Sequence, residues 1–204
     1  MKFRIILFLS ASLFFSAQLL GQANDKGMVI NGIKWATRNV DKPGTFANNP
    51  EDSGMFYQRN RNVGWSTTDS LYNSNGGTVW DNSYAPSETW EKANDPCPIG
   101  WRIPTLDEID SLLRTSKVSS QWTIVNDVNG RTFTDIATGS TIFLPAVGNY
   151  NGSKLKFSGS LGGYWSSKLR GINHGYFLHF HKKGASSNYD FGVMGYSIRC
   201  VSDK

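Results

Sequence analysis

In this 204-residue chain, apolar residues recur at the three- and four-residue intervals of a helix in one clear stretch, and this restricts the fold more than any other feature. Thr105, with Glu108 three positions later, forms a capping box in which each residue satisfies a backbone N–H of the first turn. Apolar residues then recur on one face, and the pattern predicts a helix over about residues 105–116. The 21 glycines and 7 prolines of the chain instead indicate many turns and short strands.

The rest of the chain has the pattern of short strands. Residues 28–35 should form a hairpin about Asn31-Gly32, and residues 119–122 a short second helix. We expect five further strands, separated by turn residues: Arg131–Ile136, Thr141–Ala146, Gly163–Ser167, Gly175–His181 and Gly195–Val201. The predicted fold class is α+β, with an irregular N-terminal half, one clear helix and an antiparallel C-terminal sheet.

Residues 43–77 are rich in Gly, Asn, Ser and Pro, and their apolar residues follow neither the period of a helix nor that of a strand. Such a segment persists only if side chains pack it, and we expect five aromatic anchors: Phe46, Phe56, Tyr57, Trp65 and Tyr72. For Trp80 and Trp90, packing and stacking on sugar rings both remain open.

Residues 1–23 have the three parts of a secretory signal peptide: a basic head, an apolar run, and small residues before a cleavage point after Ala23. The apolar run is short for a membrane span of about 20 residues. We therefore expect the signal to be cleaved. The mature protein should be a single domain over residues 24–204, secreted or at the cell surface, with no stable membrane span.

Export determines how the two cysteines, Cys97 and Cys200, are interpreted. They are 103 positions apart, and in an oxidising compartment the default is one disulfide between them. The alternative, a catalytic thiol, would need a neighbouring base, and the histidines are not close to either cysteine in sequence. One disulfide is the favoured interpretation.

The net charge of +5 is unevenly distributed. Residues 24–135 carry 11 basic and 14 acidic residues, whereas residues 136–204 carry 8 basic and 2 acidic residues. An anionic partner such as an acidic glycan should therefore meet the C-terminal part, and salt should weaken that contact. The basic residues are scattered and the protein is exported, so nucleic acid is not an expected partner.

Several blocks of sequence form a recognisable series. They lie at residues 31–40, 95–105, 143–146, 163–167 and 195–201, and the longest reads DPCPIGWRIPT. In this order they resemble the landmarks of the Fibrobacter succinogenes major paralogous domain family, found in exported proteins of gut and rumen bacteria. The resemblance covers about residues 28–202. It implies a C-type-lectin-like fold with a Cys97–Cys200 bridge as its staple, and it implies no defined activity.

Two chemistries known on related folds need residues that this sequence lacks. Calcium-dependent lectins use Glu-Pro-Asn or Gln-Pro-Asp with Trp-Asn-Asp, which supply oxygen ligands. Here only Trp80-Asp81-Asn82 and Val125-Asn126-Asp127 come near. Formylglycine-generating enzymes also resemble this fold and finish with a similar Gly-aromatic-Arg ending. They need a redox cysteine pair, but both cysteines here match structural positions. We therefore expect no catalytic residues, metal or cofactor.

Residues 168–191 are the predicted binding surface, because framework motifs flank them on both sides and they form a polar stretch with the pattern of irregular loops. Its Tyr, Arg and His side chains are good contact residues. The predicted ligand-binding residues are Lys168, Arg170, Asn173, His174, Phe177, His179, His181, Tyr189 and Phe191. An ordinary solvated loop is the alternative.

Strand alternation over residues 175–181 places His179 and His181 on one face, where two imidazoles could share a zinc ion. His174 could be a third ligand. The only acidic residue nearby is Asp190, so no carboxylate is evident to orient the imidazoles. A solvated or partner-binding face is the favoured interpretation.

The leading hypothesis is an extracytoplasmic, non-enzymatic binding or adhesion domain that recognises a surface glycan or an extracellular protein. The layout of residues 168–191 also resembles the variable ligand-binding proteins of diversity-generating retroelements. A structural subunit of a surface appendage is a further alternative. The least favoured is a polysaccharide hydrolase with an acidic pair from residues 24–135. The oligomeric state is left open.

Overall fold

The computed structural model describes residues 25–203, except residues 69, 86 and 88. The predicted signal peptide lies outside this range. The described chain is mostly β-sheet with one α-helix, and all pairs of its strands are antiparallel, which is compatible with the α+β class. No helix in this part of the chain is long and apolar enough to cross a membrane.

The strands form five small sheets in the described residues. The sheets have the orders β1-β2-β14-β5, β6-β7-β8, β11-β12-β13, β3-β4 and β10-β9. The strands are β1 (Met28–Ile30), β2 (Ile33–Trp35), β3 (Phe56–Tyr57), β4 (Gly64–Trp65), β5 (Trp101–Arg102), β6 (Val118–Val125), β7 (Val128–Asp135), β8 (Thr141–Pro145), β9 (Asn149–Asn151), β10 (Lys154–Lys156), β11 (Leu161–Arg170), β12 (His174–His181), β13 (Gly184–Phe191) and β14 (Val201–Ser202). Helix α1 spans Leu106–Leu112, and a 3-10 turn spans Lys92–Asn94.

Helix α1 begins at the predicted capping box, with both reciprocal hydrogen bonds present. It ends at Leu112, however, and not near residue 116. The N–H groups of Lys117 and Val118 both donate to the carbonyl oxygen of Arg114, at 2.8 and 2.9 Å. This turn redirects the chain after the helix, and it leads to Val118, which is buried as the first residue of β6.

Residues 119–122 belong to strand β6, so the predicted second helix is wrong. Asn126 and Asp127 both have positive φ, 46° and 63°, and form a tight turn between β6 and β7. The turn sets a register in which eight residues of β6 pair with β7. Pairing with a neighbour therefore determines the structure of a segment whose own periodicity is weak.

The N-terminal hairpin forms as predicted, with Asn31 and Gly32 at φ 49° and 77° in its turn. Strand β14 then pairs with β2 on one side and β5 on the other, which places residues 201–202 beside the β1–β2 hairpin. The disulfide between Cys97 and Cys200 lies beside this sheet, with 6.1 Å between the two Cα atoms. The predicted pairing of the cysteines is confirmed.

The predicted strand over residues 195–201 is mostly not a strand. Single bridges join Gly195 to Tyr150, Tyr196 to Tyr57, and Ser197 to Tyr164. This segment contacts three different neighbours within three residues, so no single ladder can propagate along it. It passes through the interior, and its residues 195–200 are all buried.

Aromatic side chains hold the irregular N-terminal half. Of the five predicted anchors, four are buried: Phe46, Phe56, Tyr57 and Trp65. Tyr72 is 42% exposed and is not an anchor. Trp80 is buried, with its ring 4.8 Å from that of Trp65 and 5.2 Å from that of Tyr150, so packing is its role.

Removal of the disulfide tests how much the covalent link between Cys97 and Cys200 contributes to the stability of the fold. Because the bridge closes a loop of about 100 residues, the double variant Cys97→Ser/Cys200→Ser should lose about 2–5 kcal/mol of unfolding free energy. Urea unfolding followed by tryptophan fluorescence measures this loss. An unchanged unfolding midpoint in the double variant would contradict the expectation.

Candidate functional site

The predicted binding stretch is a sheet and not a set of loops. Strand β12 pairs with β13 without interruption from His181 and Gly184 to His174 and Phe191. The residues of β13 before Tyr189 are small or polar, so the sequence shows no apolar alternation there. The segment is a strand because β12 offers it a complete ladder of backbone partners.

This register brings five side chains together on one face of the sheet, since residues directly opposite each other point the same way. Arg170, His174 and Phe191 are opposite one another on the three strands, and Tyr176 is opposite Tyr189. We call these five residues the ring surface.

The side chains of the ring surface contact each other closely. The guanidinium carbon of Arg170 lies 3.5 Å from the ring centroid of Tyr189. The His174 ring is 4.6 Å from that of Phe191 and 6.0 Å from that of Tyr189, which in turn is 6.2 Å from the ring of Tyr176. Tyr189 and Phe191 are 46% and 49% exposed, so the cluster is open to ligands.

The position of helix α1 explains why this end of the sheet is open. Farther along the same face of β12, Leu178 and Phe180 are buried in a core cluster with Ile109 and Leu112 of the helix. The seven-residue helix covers that end of the sheet only. The ring surface continues the same apolar face beyond the helix, where Ile172 in the adjoining turn is also exposed.

The charge of Arg170 is not neutralised within the described residues, because none of their ion pairs involves it. The carboxylate of Asp190, on the same sheet, is already engaged. It accepts hydrogen bonds from the hydroxyl of Tyr196 and from the N–H of Phe191, each at 2.7 Å. A stacked guanidinium keeps its N–H edge available, which suits a carboxylate or sulfate group of a ligand.

The buried side chain of Arg59 stabilises the ring surface from the interior of the protein. Its Nη2 donates to the carbonyl oxygens of Ile172, Ala85 and Ser87 at 2.9–3.1 Å. A Cβ atom at Gly192 would lie 2.9 Å from Nε of Arg59, so only glycine allows this close approach. Arg59 thereby fixes the turn between β11 and β12.

Five of the nine predicted site residues lie outside the ring surface: Phe177, Lys168 and Asn173, and the two histidines His179 and His181 on the opposite face of β12. Phe177 is only 4% exposed and stacks on Tyr196 at 4.3 Å, so it cannot meet a ligand at the surface. Lys168 lines a groove beside the first turn of α1. Asn173 lies in the turn, where its carbonyl oxygen accepts from the N–H of Gly192.

Tyr176 belongs to the ring surface, and the sequence reasoning missed it. Alternation correctly separates Tyr176 from Phe177, but it does not say which face of a strand is covered. Both faces of β12 carry aromatic residues, so the sequence pattern contained no signal for choosing between them.

His179 and His181 lie on the face of β12 opposite the ring surface, with ring centroids 5.5 Å apart. Nδ1 of His181 accepts a hydrogen bond from the N–H of Lys183 at 3.0 Å. His174 points to the other face, so the three imidazoles do not converge. Over the described range, no group of three His, Cys, Asp or Glu residues could hold a metal ion.

A cavity of about 630 Å³ lies between loops, with acidic residues in its lining. Glu51 accepts a hydrogen bond from Asn126, and Asp52 accepts two from Asn49. These carboxylates therefore stabilise local loop structure. Acidity alone does not make a hydrolytic pair, so we regard the ring surface as the stronger candidate.

Comparison with known proteins does not identify a relative: no family model, curated protein or solved structure matches this chain. The function has to be argued from the geometry and charge of the site itself.

Replacement of Arg59 tests its role beneath the ring surface. Arg59→Met leaves three carbonyl oxygens without their donor, and we expect the free energy of unfolding to fall by about 2–4 kcal/mol. Arg59→Lys keeps a charge with three donors and should lose less. Urea unfolding measures both, and hydrogen exchange should show faster exchange in the 171–173 turn. Equal stability of the Met variant and the wild type would contradict this role.

The pH dependence of stability tests the environment of His179. Burial and the neighbouring His181 lower the pKa of His179 in the folded protein. Its contribution to stability is therefore fully present above the unfolded pKa of about 6.5 and is lost as the pH falls through the folded pKa. We expect His179→Gln to reduce the loss of Tm between about pH 7.5 and 5.

The matched control is His174→Gln, which removes an imidazole from the other face of β12. It should leave most of the pH dependence in place. If both variants follow the wild-type curve, His179 does not govern stability in this range.

Proposed function

We propose that this protein is an extracytoplasmic, non-enzymatic binding domain that recognises an acidic glycan through the ring surface. The observation that carries the proposal is the exposed guanidinium of Arg170, stacked 3.5 Å from the ring of Tyr189 and without a carboxylate partner in the described residues. A cation and several aromatic faces on one open patch match a ligand that is both ring-shaped and anionic.

Each part of the ring surface has a counterpart in such a ligand. The apolar C–H face of a sugar can pack on the exposed rings of Tyr189 and Phe191, and the guanidinium edge of Arg170 can bind a uronate or sulfate. His174 lies between them and can donate to hydroxyl groups. All of these groups are on paired strands, so little conformational entropy is lost on binding.

The charge of the surroundings supports an anionic ligand. The C-terminal part, residues 136–204, has eight basic residues against two acidic ones. Lys182 and Lys183 are exposed without an ion-pair partner among the described residues, but they lie in the turn at the opposite end of the β12–β13 hairpin from His174 and Phe191. Arg170 therefore supplies the cation of the ring surface, and the excess positive charge of the C-terminal part adds a longer-range attraction that salt should screen.

The proposal includes export and a C-type-lectin-like fold of the Fibrobacter succinogenes major paralogous domain type. Export is supported by the signal-peptide pattern of residues 1–23 and by the Cys97–Cys200 disulfide, since such bridges persist in oxidising compartments. The fold assignment is supported by the five sequence blocks at residues 31–40, 95–105, 143–146, 163–167 and 195–201.

Binding of defined polysaccharides to the mature protein tests this function. We expect binding to polygalacturonate or chondroitin sulfate, which differ in their acidic group, and none to neutral dextran. Arg170→Gln and Tyr189→Ala should each weaken binding about tenfold, equivalent to about 1.4 kcal/mol. Isothermal titration calorimetry at low and high salt measures the affinity, and salt should weaken it.

Two variants serve as matched controls, Arg114→Gln and Tyr72→Ala. Each removes an exposed side chain of the same type outside the ring surface. Both should bind like the wild type, and circular dichroism should show that all four variants are folded. Binding that is equally strong in Arg170→Gln, or no binding to either polyanion, would overturn the proposal.

A further inference from the structure

A second concave surface lies on another part of the molecule, next to the disulfide. It is a cleft of about 540 Å³, lined by the 3-10 turn at Lys92–Asn94, the Pro98–Gly100 turn, strand β5, the start of α1, Ser167 and Asp203. We call it the indole cleft, because Trp90 and Trp101 both line it. Its volume is in the range typical of small-ligand sites.

The two indoles line the cleft from fixed positions, and Nζ of Lys34 lies 5.9 Å from the ring centroid of Trp101. The N–H of Trp90 donates to the carbonyl oxygen of Asn94 at 3.0 Å, so its polar atom is satisfied within the protein. Trp101 packs edge-on against Phe46, with ring centroids 5.6 Å apart. Both rings are half-buried and contact a core cluster that includes Cys200, so they are held rigidly.

Polar groups of opposite charge lie beside these rings. The carboxylate of Asp203 is 3.8 Å from Nε of Arg102 and 3.9 Å from Nζ of Lys92, and its side chain is partly exposed. Arg102 also forms two short hydrogen bonds to Glu108. The hydroxyl of Ser167 adds a donor and acceptor. The cleft thus offers hydrogen-bonding groups of both kinds while its charges balance.

Asp95 shapes the cleft and is not available to a ligand. Its two carboxylate oxygens accept from the N–H groups of Cys97 and Ile103, at 2.9 and 3.1 Å. Burial raises the pKa of Asp95. These bonds fix the disulfide-bearing loop against β5, so the wall of the cleft is formed before any ligand arrives.

We propose that the indole cleft binds one neutral pyranose unit, with the sugar ring packed on an indole face and its hydroxyl groups bonded to Asp203, Arg102 and Ser167. Charge balance argues against an anion here, in contrast to the ring surface. Apolar ring surface beside mixed donors and acceptors matches a ligand that has a C–H face and equatorial hydroxyls. Ile99, fully exposed at the rim, adds apolar contact for a substituent.

The site is tested with methyl glycosides of glucose, galactose, mannose and N-acetylglucosamine, added singly to ¹⁵N-labelled protein. We expect at least one to shift the indole N–H resonance of Trp90 and the amides of residues 98–103, with a Kd of about 1 mM. No shift with any of the four, or shifts confined to other parts of the molecule, would overturn the proposal.

Variants test whether the indole of Trp90 is responsible for binding the glycoside. Trp90→Ala should weaken binding at least tenfold, and Ser167→Ala should weaken it about threefold. The matched pair Trp90→Phe and Trp122→Phe then compares the cleft with a half-buried indole elsewhere: the first should lose affinity and the second should not. Undiminished binding by folded Trp90→Ala protein would refute the assignment.

The experiment also distinguishes this site from the ring surface. Trp90→Ala should retain the binding of polygalacturonate or chondroitin sulfate, whereas Arg170→Gln should retain the binding of the methyl glycoside. A second copy of the chain seated on Ile99 would instead give a concentration-dependent mass by light scattering that Ile99→Asp abolishes. That outcome would replace the sugar as the occupant of the cleft.

Discussion

Buried guanidinium groups hold together the parts of this fold that have no regular hydrogen-bond ladder. Arg59, Arg131 and Arg199 are at most 5% exposed, and each donates to backbone carbonyl oxygens of distant segments. None has a carboxylate partner in the described residues. Burial lowers the pKa of all three, yet arginine stays protonated and keeps its donors. An unpaired buried carbonyl is costly, so these donors help to make the burial of such backbone possible.

Arginine has two different roles on the two sides of the β11–β13 sheet. Arg59 is buried, and its Nη2 donates to three carbonyl oxygens of the protein, which fixes the turn that precedes β12. Arg170 is exposed and stacks on Tyr189, and its N–H edge remains available. The ring surface is therefore cationic, whereas at the indole cleft Lys92 and Arg102 are balanced by Asp203 and Glu108. The two surfaces that we propose as carbohydrate sites therefore differ in charge.

Local rules predicted some features from the sequence, and they are the ones whose cause is local. The capping box located the start of α1, and Asn31-Gly32 located the first hairpin. The end of α1 and the strands β6 and β13 were not predictable in this way, because partners distant in sequence determine them. In the candidate site, Arg170, His174, Tyr189 and Phe191 were named from the sequence. Tyr176 was missed, and Phe177 was expected at a surface that it does not reach.

The sequence by itself determined which residues are available: a single pair of cysteines in a chain with an export pattern, a basic C-terminal part, and aromatic residues on both faces of β12. Only the tertiary structure decided which of those faces is open. Helix α1 covers Leu178 and Phe180 but stops short of His174 and Tyr176, while Tyr196 and Trp165 cover Phe177 on the other side. Exposure is a property of what packs against a residue, and alternation along one strand carries no information about that packing.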